Sequence, residues 1–237
     1  MEENMTPEIF LETIKKACGE NLLSFVIYGS AAAGDAIPGK SDCNVLLVLE
    51  AAGHPALKAI AAASKDWMKK GNPPPLVFTR LQLASSGDTF PIELSDMKEF
   101  HKVLHGPDPL ASINIAPANL RLSVERELKS KLIQLRGAYL TVNGDKKDLG
   151  LLMTESLSQV LVLCRAALRL REAAVPAAKL DCALQLRKHA EFDEEIFKVL
   201  HAVRRGERKA GDEAEELFGR YAGAIEKLCA AVDGWEN

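Results

Sequence analysis

The sequence predicts an α+β protein: a small mixed sheet with helices over residues 1–117, followed by an antiparallel helical bundle over residues 118–237. Two observations carry that prediction. Before Pro117, short apolar runs rich in Val, Ile, Leu and Phe alternate with helical segments and turns, and after it apolar residues recur at spacings of three and four almost throughout. At 237 residues with 47% hydrophobic content, the chain is long enough to bury one large core or two smaller ones.

Taken in order, a helix is expected over residues 7–18. The run 22–28 contains Phe, Val, Ile and Tyr and stops at Gly29, which reads as a buried strand. Gly29 lets the backbone turn closely and Ser30 offers a hydroxyl. Ala31 to Ala33 then open a short helix whose free N–H groups would face an anion. Pro38 and Gly39 break the chain before a second apolar run, 44–49, another central strand. Asp42 and Asn44 stand two apart. On a strand that spacing sends both side chains to one face, as two ligands gripping one pair of cations require. A helix over 55–70, the turn Gly71 to Pro75 and a short strand over 76–79 follow.

In residues 89–95, Phe90, Ile92 and Leu94 share one parity and Pro91, Glu93 and Ser95 the other. A strand is expected there, with Glu93 aimed away from its apolar side. Residues 100–104 add an edge strand ended by His105, Gly106 and Pro107. After Pro117, Asn119 can cap a helix with Leu120, Val124, Leu128, Leu132, Leu135 and Tyr139 on one face and Gly144 beyond its end. The next helix, 151–171, is apolar on most sides and is placed at the bundle's centre, with further helices over 177–190, 194–203 and 212–232. Glu155, Arg165 and Arg169 on that central helix must each reach solvent, a partner or a ligand. The run Arg204 to Lys209 reads as a solvated interhelical loop.

Charge argues against a general nucleic-acid binder. Residues 1–117 carry 10 Lys and Arg against 14 Asp and Glu, and residues 118–237 carry 20 against 19. Neither half has the basic excess that phosphate-backbone binding uses. Five scattered cysteines without Cys-x-x-Cys spacing are expected to be reduced, and the five histidines show no metal-ligand spacing. The first residues lack a basic segment ahead of an apolar stretch, and no run is read as approaching the ~20 apolar residues of a membrane span. A cytoplasmic protein is expected by default.

The stretch from Gly29-Ser30 through Ser41-Asp42-Cys43-Asn44, flanked by its two apolar strands, resembles the nucleotidyltransferase superfamily of DNA polymerase beta, kanamycin nucleotidyltransferase and the streptomycin/spectinomycin adenylyltransferases. Those proteins carry a glycine-serine turn, about a dozen residues, an aspartate-x-aspartate strand and later a third carboxylate on a neighbouring strand. Gly29, Ser30, Ser41 and Asp42 match that pattern and Asn44 departs from it.

The resemblance implies a sheet covered by helices on one face and open to nucleotide on the other, with the helical domain choosing the acceptor. It implies a triphosphate held by Gly29, Ser30, Ser41 and Lys40, and two Mg2+ ions on Asp42, Asn44 and Glu93, with Asp42 and Glu93 catalytic. A nucleoside monophosphate would pass from a nucleoside triphosphate to a hydroxyl of a small molecule or protein. Because Asn44 lowers the charge of the ligand set, the same residues also fit a degenerate member that binds nucleotide or a partner protein without turnover, including an antitoxin-like role.

Overall fold

The computed structural model describes residues 5–33, 42–142 and 144–235. The chain divides into two compact units, Met1–Ala116 and Pro117–Asn237.

The first unit is built on a four-stranded mixed sheet. Its strands are β1 (Leu22–Tyr28), β2 (Asn44–Leu49), β3 (Leu76–Thr79) and β4 (His101–His105), in the order β3-β2-β1-β4. β1 runs antiparallel to both β2 and β4, and β2 runs parallel to β3. Six consecutive residues of β2, NVLLVL, pass from half-buried to buried without a polar interruption, as a strand covered on both faces requires. On one face Phe25, Ile27, Val45, Leu47 and Leu49 pack against α1 (Pro7–Cys18), α3 (His54–Ala63) and α4 (Lys65–Lys69). There Phe10 stacks on Trp67 at 4.5 Å and meets Phe25 edge-on at 5.8 Å. Burying each such ring contributes about 1.5–3 kcal/mol.

On the other face Val26, Leu46 and Val48 pack against Leu83 of α5 (Arg80–Ala84), Leu94 and Met97 of α6 (Pro91–Glu99), and Leu110 and Ile113 of the segment that follows β4. Both faces are therefore covered, which corrects the expectation of a sheet open on one side. A close approach locks this second layer. Ser24 Oγ donates to Pro107 O at 2.7 Å, and Gly106, at φ +75°, lies so near β1 that a Cβ would stand 1.8 Å from Leu23 O.

Two further expectations are corrected here. Residues 89–95 are not a strand. Pro91 occupies the first turn of α6, and Pro91, Leu94 and Met97 recur at helical spacing as its buried side. Phe90, the first residue of the apparent alternation, is 43% exposed. The helix expected over 55–70 is two, α3 and α4, meeting at Ser64. α5 was not anticipated, although Thr79 and Gln82 form a reciprocal capping box at its start.

The second unit is a bundle of α7 (Pro117–Val142), α8 (Lys146–Arg169), α9 (Lys179–Gln185), α10 (Glu195–Arg205) and α11 (Ala214–Asp233). α7 buries Leu120, Val124, Leu128, Leu132 and Leu135, the face that the spacing predicts. α8 starts five residues earlier than expected, at Lys146, after the N-cap Asp145, whose carboxylate accepts from Lys147 N and Asp148 N. By length and composition α8 is apolar enough to cross a membrane, which corrects the sequence expectation. The bundle accounts for that character: α7, α9, α10 and α11 all pack on α8 and bury Leu149, Met153, Leu157, Val160 and Leu168. Within this core Tyr221 and Ser156 share a hydrogen bond of 3.1 Å, and burial pushes the Tyr221 phenol up. Arg165, 2% exposed, donates from Nη1 to Ala177 O at 3.1 Å.

Candidate nucleotide site at the Gly29 turn

β1 ends at Tyr28, and Gly29 turns the chain at φ +80° into the short helix α2 (Ser30–Ala33). That dihedral is accessible to glycine at little cost and strained for other residues. The turn is held by Gly29 N–H donating to Phe100 O at 3.2 Å and by Ala32 N–H donating to Gly29 O at 3.0 Å. Asn44, the register partner of Tyr28, closes over it: a Cβ at position 29 would stand 3.3 Å from Asn44 Nδ2. The two halves of the sequence motif, remote along the chain, thus meet across one strand pair.

Tyr28 also pairs with His101 of β4. Asn44, Tyr28 and His101 form a row of polar side chains across this end of the sheet, in register with one another. Burial raises the Tyr28 phenol above its usual range. His101 Nε2 lies 3.3 Å from Asp108 Oδ2, and His101 Nδ1 is buried with no hydrogen-bond partner among the described residues.

Asp42 is solvent-exposed and precedes the strand, which starts at Asn44. The two-residue rule therefore aligns Asn44 with Leu46 and does not apply to Asp42. What holds this segment is Asn72, a residue the sequence reading passed over. Its Oδ1 accepts from Cys43 N at 3.0 Å and its Nδ2 donates to Trp67 O at 3.4 Å, while Trp67 Nε1 donates to Pro73 O at 2.9 Å. The Gly71 to Pro75 turn was readable as a turn. Its reach back to Cys43 was not, because nothing local signals a contact across 29 residues.

Glu93 sits exposed in the first turn of α6. That helix delivers the chain to Phe100 beside Gly29, and a rise of 1.5 Å per residue sets Glu93 roughly 10 Å back along its axis. The structure thus brings Gly29, Asn44 and the approach to Asp42 together and leaves Glu93 off the strand where it was expected. Lys40 and Ser41 lie outside the described residues, as does the side chain of Ser30.

A pair of Mg2+ ions demands several carboxylate oxygens around one point. β1 and β3, the strands beside β2, carry no acidic residue, and position 44 offers a neutral amide. Among the described residues no three His, Cys, Asp or Glu side chains gather in one place. Asp42 with Asn44 does not fit a two-metal ligand set.

No family model matches the chain, and no curated protein matches it in sequence. Among solved structures it is similar to a spectinomycin adenyltransferase from Enterococcus faecialis, solved with ATP and spectinomycin. The identity is 12% and the TM-score 0.61, over 93% of this chain and 98% of that one. The likeness is one of fold: the chain shares that protein's α+β architecture, the fold class that the sequence predicts.

Proposed function

We propose that the protein binds a nucleoside triphosphate at the Gly29 turn as a nucleotidyltransferase-like protein, without two-metal turnover. The observation that carries this reading is the nearness of Asn44 Nδ2 to the Gly29 turn, where a Cβ at position 29 would stand 3.3 Å from it. The Nδ2 of an amide is a hydrogen-bond donor, suited to a phosphate oxygen, and only its neutral Oδ1 could meet a cation. With Gly29 shaping the turn and Asn44 donating beside it, anionic phosphate is met by donors where the resemblance expects a carboxylate-bound metal pair. The resemblance adds Ser30, Ser41 and Lys40 to the phosphate contacts, and Asp42 leaves a single carboxylate for a Mg2+ ion that arrives on the triphosphate.

The test is calorimetric titration of ATP and GTP, with and without Mg2+, beside an assay for released pyrophosphate. Binding without pyrophosphate release is expected, and Ser30→Ala should weaken it by roughly 1.5–3 kcal/mol through loss of a hydrogen bond to a charged group. If no nucleotide binds, the reading falls.

A second reading has its own support in the retained Gly29-Ser30 and Asp42 and in the fold shared with a protein solved with ATP and a small molecule. In it the protein transfers a nucleoside monophosphate to a hydroxyl of a small molecule or protein. Pyrophosphate released only in the presence of Mg2+ would establish that reading over the first.

A further inference from the structure

We propose that the groove between the first turns of α8 and the end of α10 is a separate binding site, for an aliphatic phosphate or diphosphate ester. It lies wholly within the helical unit and encloses about 810 Å3. That is the scale of a small-molecule pocket, which spans roughly 300–1,000 Å3.

Its rim is cationic. Lys146 and Lys147 stand on α8, and Arg204, Arg208 and Lys209 on the end of α10 and the loop beyond, against the single lining carboxylate of Glu155. With Asp212 and Glu213 counted beside their partners Lys146 and Arg208, five cations face three carboxylates here, in a unit whose 20 Lys and Arg otherwise nearly balance its 19 Asp and Glu. Three of the five cations are held in place by neighbours: Lys146 on Asp212 at 2.6 Å, Arg208 on Glu213, and Arg204 on Ser158 Oγ. Lys147 and Lys209 make no side-chain ion pair or hydrogen bond among the described residues. The rim therefore combines fixed donors with two uncommitted charges, an arrangement that phosphate oxygens satisfy and that one carboxylate would use only in part. The amides of the first α8 turn are not the anion site, because Asp145 already accepts from Lys147 N and Asp148 N.

The floor is aliphatic. Gly150 packs on Ala210, where a Cβ would stand 3.4 Å from that of the alanine, and Leu151 and Val203 complete the walls. Leu151 is 53% exposed, so a bound alkyl group would cover it. No aromatic side chain among the described residues lines the groove, so they offer no platform for a nucleobase. Neighbouring Arg205 is tied to Glu207, which interrupts any basic track for a polynucleotide backbone.

Titration with hexyl phosphate, followed by amide NMR shifts on the full chain, tests the assignment, with inorganic phosphate, hexanol and an acidic peptide as comparison probes. Hexyl phosphate should shift Gly150, Leu151, Gly206 and Gly211 and bind about tenfold tighter than inorganic phosphate, the share of about two buried methylenes. The double variant Lys147→Ala/Lys209→Ala, altered only at exposed positions, should lose about tenfold or more in that affinity. Leu151→Ser should remove the preference for the alkyl ester and leave inorganic phosphate unaffected. Unchanged affinity in the double lysine variant, shifts confined to residues outside the groove, or binding by the acidic peptide but not by hexyl phosphate would each overturn the assignment. The outcome is independent of nucleotide binding at Gly29, which Ser30→Ala tests in the other unit.

Discussion

In the sheet unit, polar side chains clamp backbone across connections, whereas in the helical unit they mostly tie side chain to side chain between helices. Asn21 grips Ala51 at both its N–H and its carbonyl at 2.9 Å, Ser24 holds Pro107, and Asn72 holds Cys43. In the bundle, Glu172 accepts from Gln185 at 2.6 Å and meets His189 at 2.8 Å, Tyr221 meets Ser156, and Arg220 pairs with Asp193 at 2.7 Å. A strand's backbone groups are spent on the ladder, so its loops must be fixed by single side-chain contacts. Helices satisfy their own backbone, which leaves side chains to set their neighbours. The contrast predicts that the sheet unit fails at individual loop positions and that the bundle distributes its losses.

The sharpest test is Gly106→Ala. A Cβ 1.8 Å from Leu23 O at positive φ cannot be relieved by a side-chain rotation, so a loss of about 4 kcal/mol or more is expected in urea unfolding. A loss under about 1 kcal/mol would break the comparison. Arg165→Ala probes an exception in the bundle, a buried cation that reaches backbone. Its removal should cost about 3 kcal/mol by the same measurement.

Asn72→Ala orphans the Cys43 N–H and should cost about 1–2 kcal/mol while weakening nucleotide binding. Asn72→Asp keeps the acceptor and should retain more of both, so equal losses in the two variants would contradict the clamp. Asn44→Asp adds a second anion near Asp42 at nearly constant volume. The unliganded protein should lose about 1 kcal/mol, its Tm should rise less than wild type's with nucleotide alone because a donor to phosphate has become an anion, and it should respond more strongly to added Mg2+. Identical melting and identical Mg2+ response in the two proteins would remove Asn44 from the site.

The smallest effect concerns acid. The hydrogen-bonded Arg220 guanidinium holds the Asp193 carboxyl below its usual value. A depressed folded pKa means stability present above the unfolded value, about 3.9, and lost as pH falls below it. Both side chains are more than a third exposed, so the term should stay under about 1 kcal/mol in wild type and vanish in Asp193→Asn.

β1 and β2 were legible because each is a mostly apolar run bounded by a turn, and α7 and α11 because their buried residues repeat over several turns. α6 was not, since Phe90, Ile92 and Leu94 satisfy a period of two as readily as a helix fragment, and Pro91 was the better guide. The Gly29 turn and Asn44 were legible as a motif because residue type alone restricts both. Coverage of the second sheet face and the Asn72 clamp depend on contacts between remote segments, which periodicity does not encode. The misplacement of Glu93 follows directly from the misreading of α6.

The chain of contacts from Cys43 through Asn72 to Trp67 gives the site an optical reporter. Trp67 is fully buried, and its indole N–H donates to the same turn that fixes the residue between Asp42 and Asn44. The other tryptophan, Trp235, lies in the helical unit with the Arg171 guanidinium 5.2 Å from its ring. In a Trp235→Phe background all indole emission comes from one residue wired to the Gly29 end of the sheet. Occupancy of that end is then readable from the intensity and wavelength of Trp67 fluorescence, with no label and no catalytic turnover.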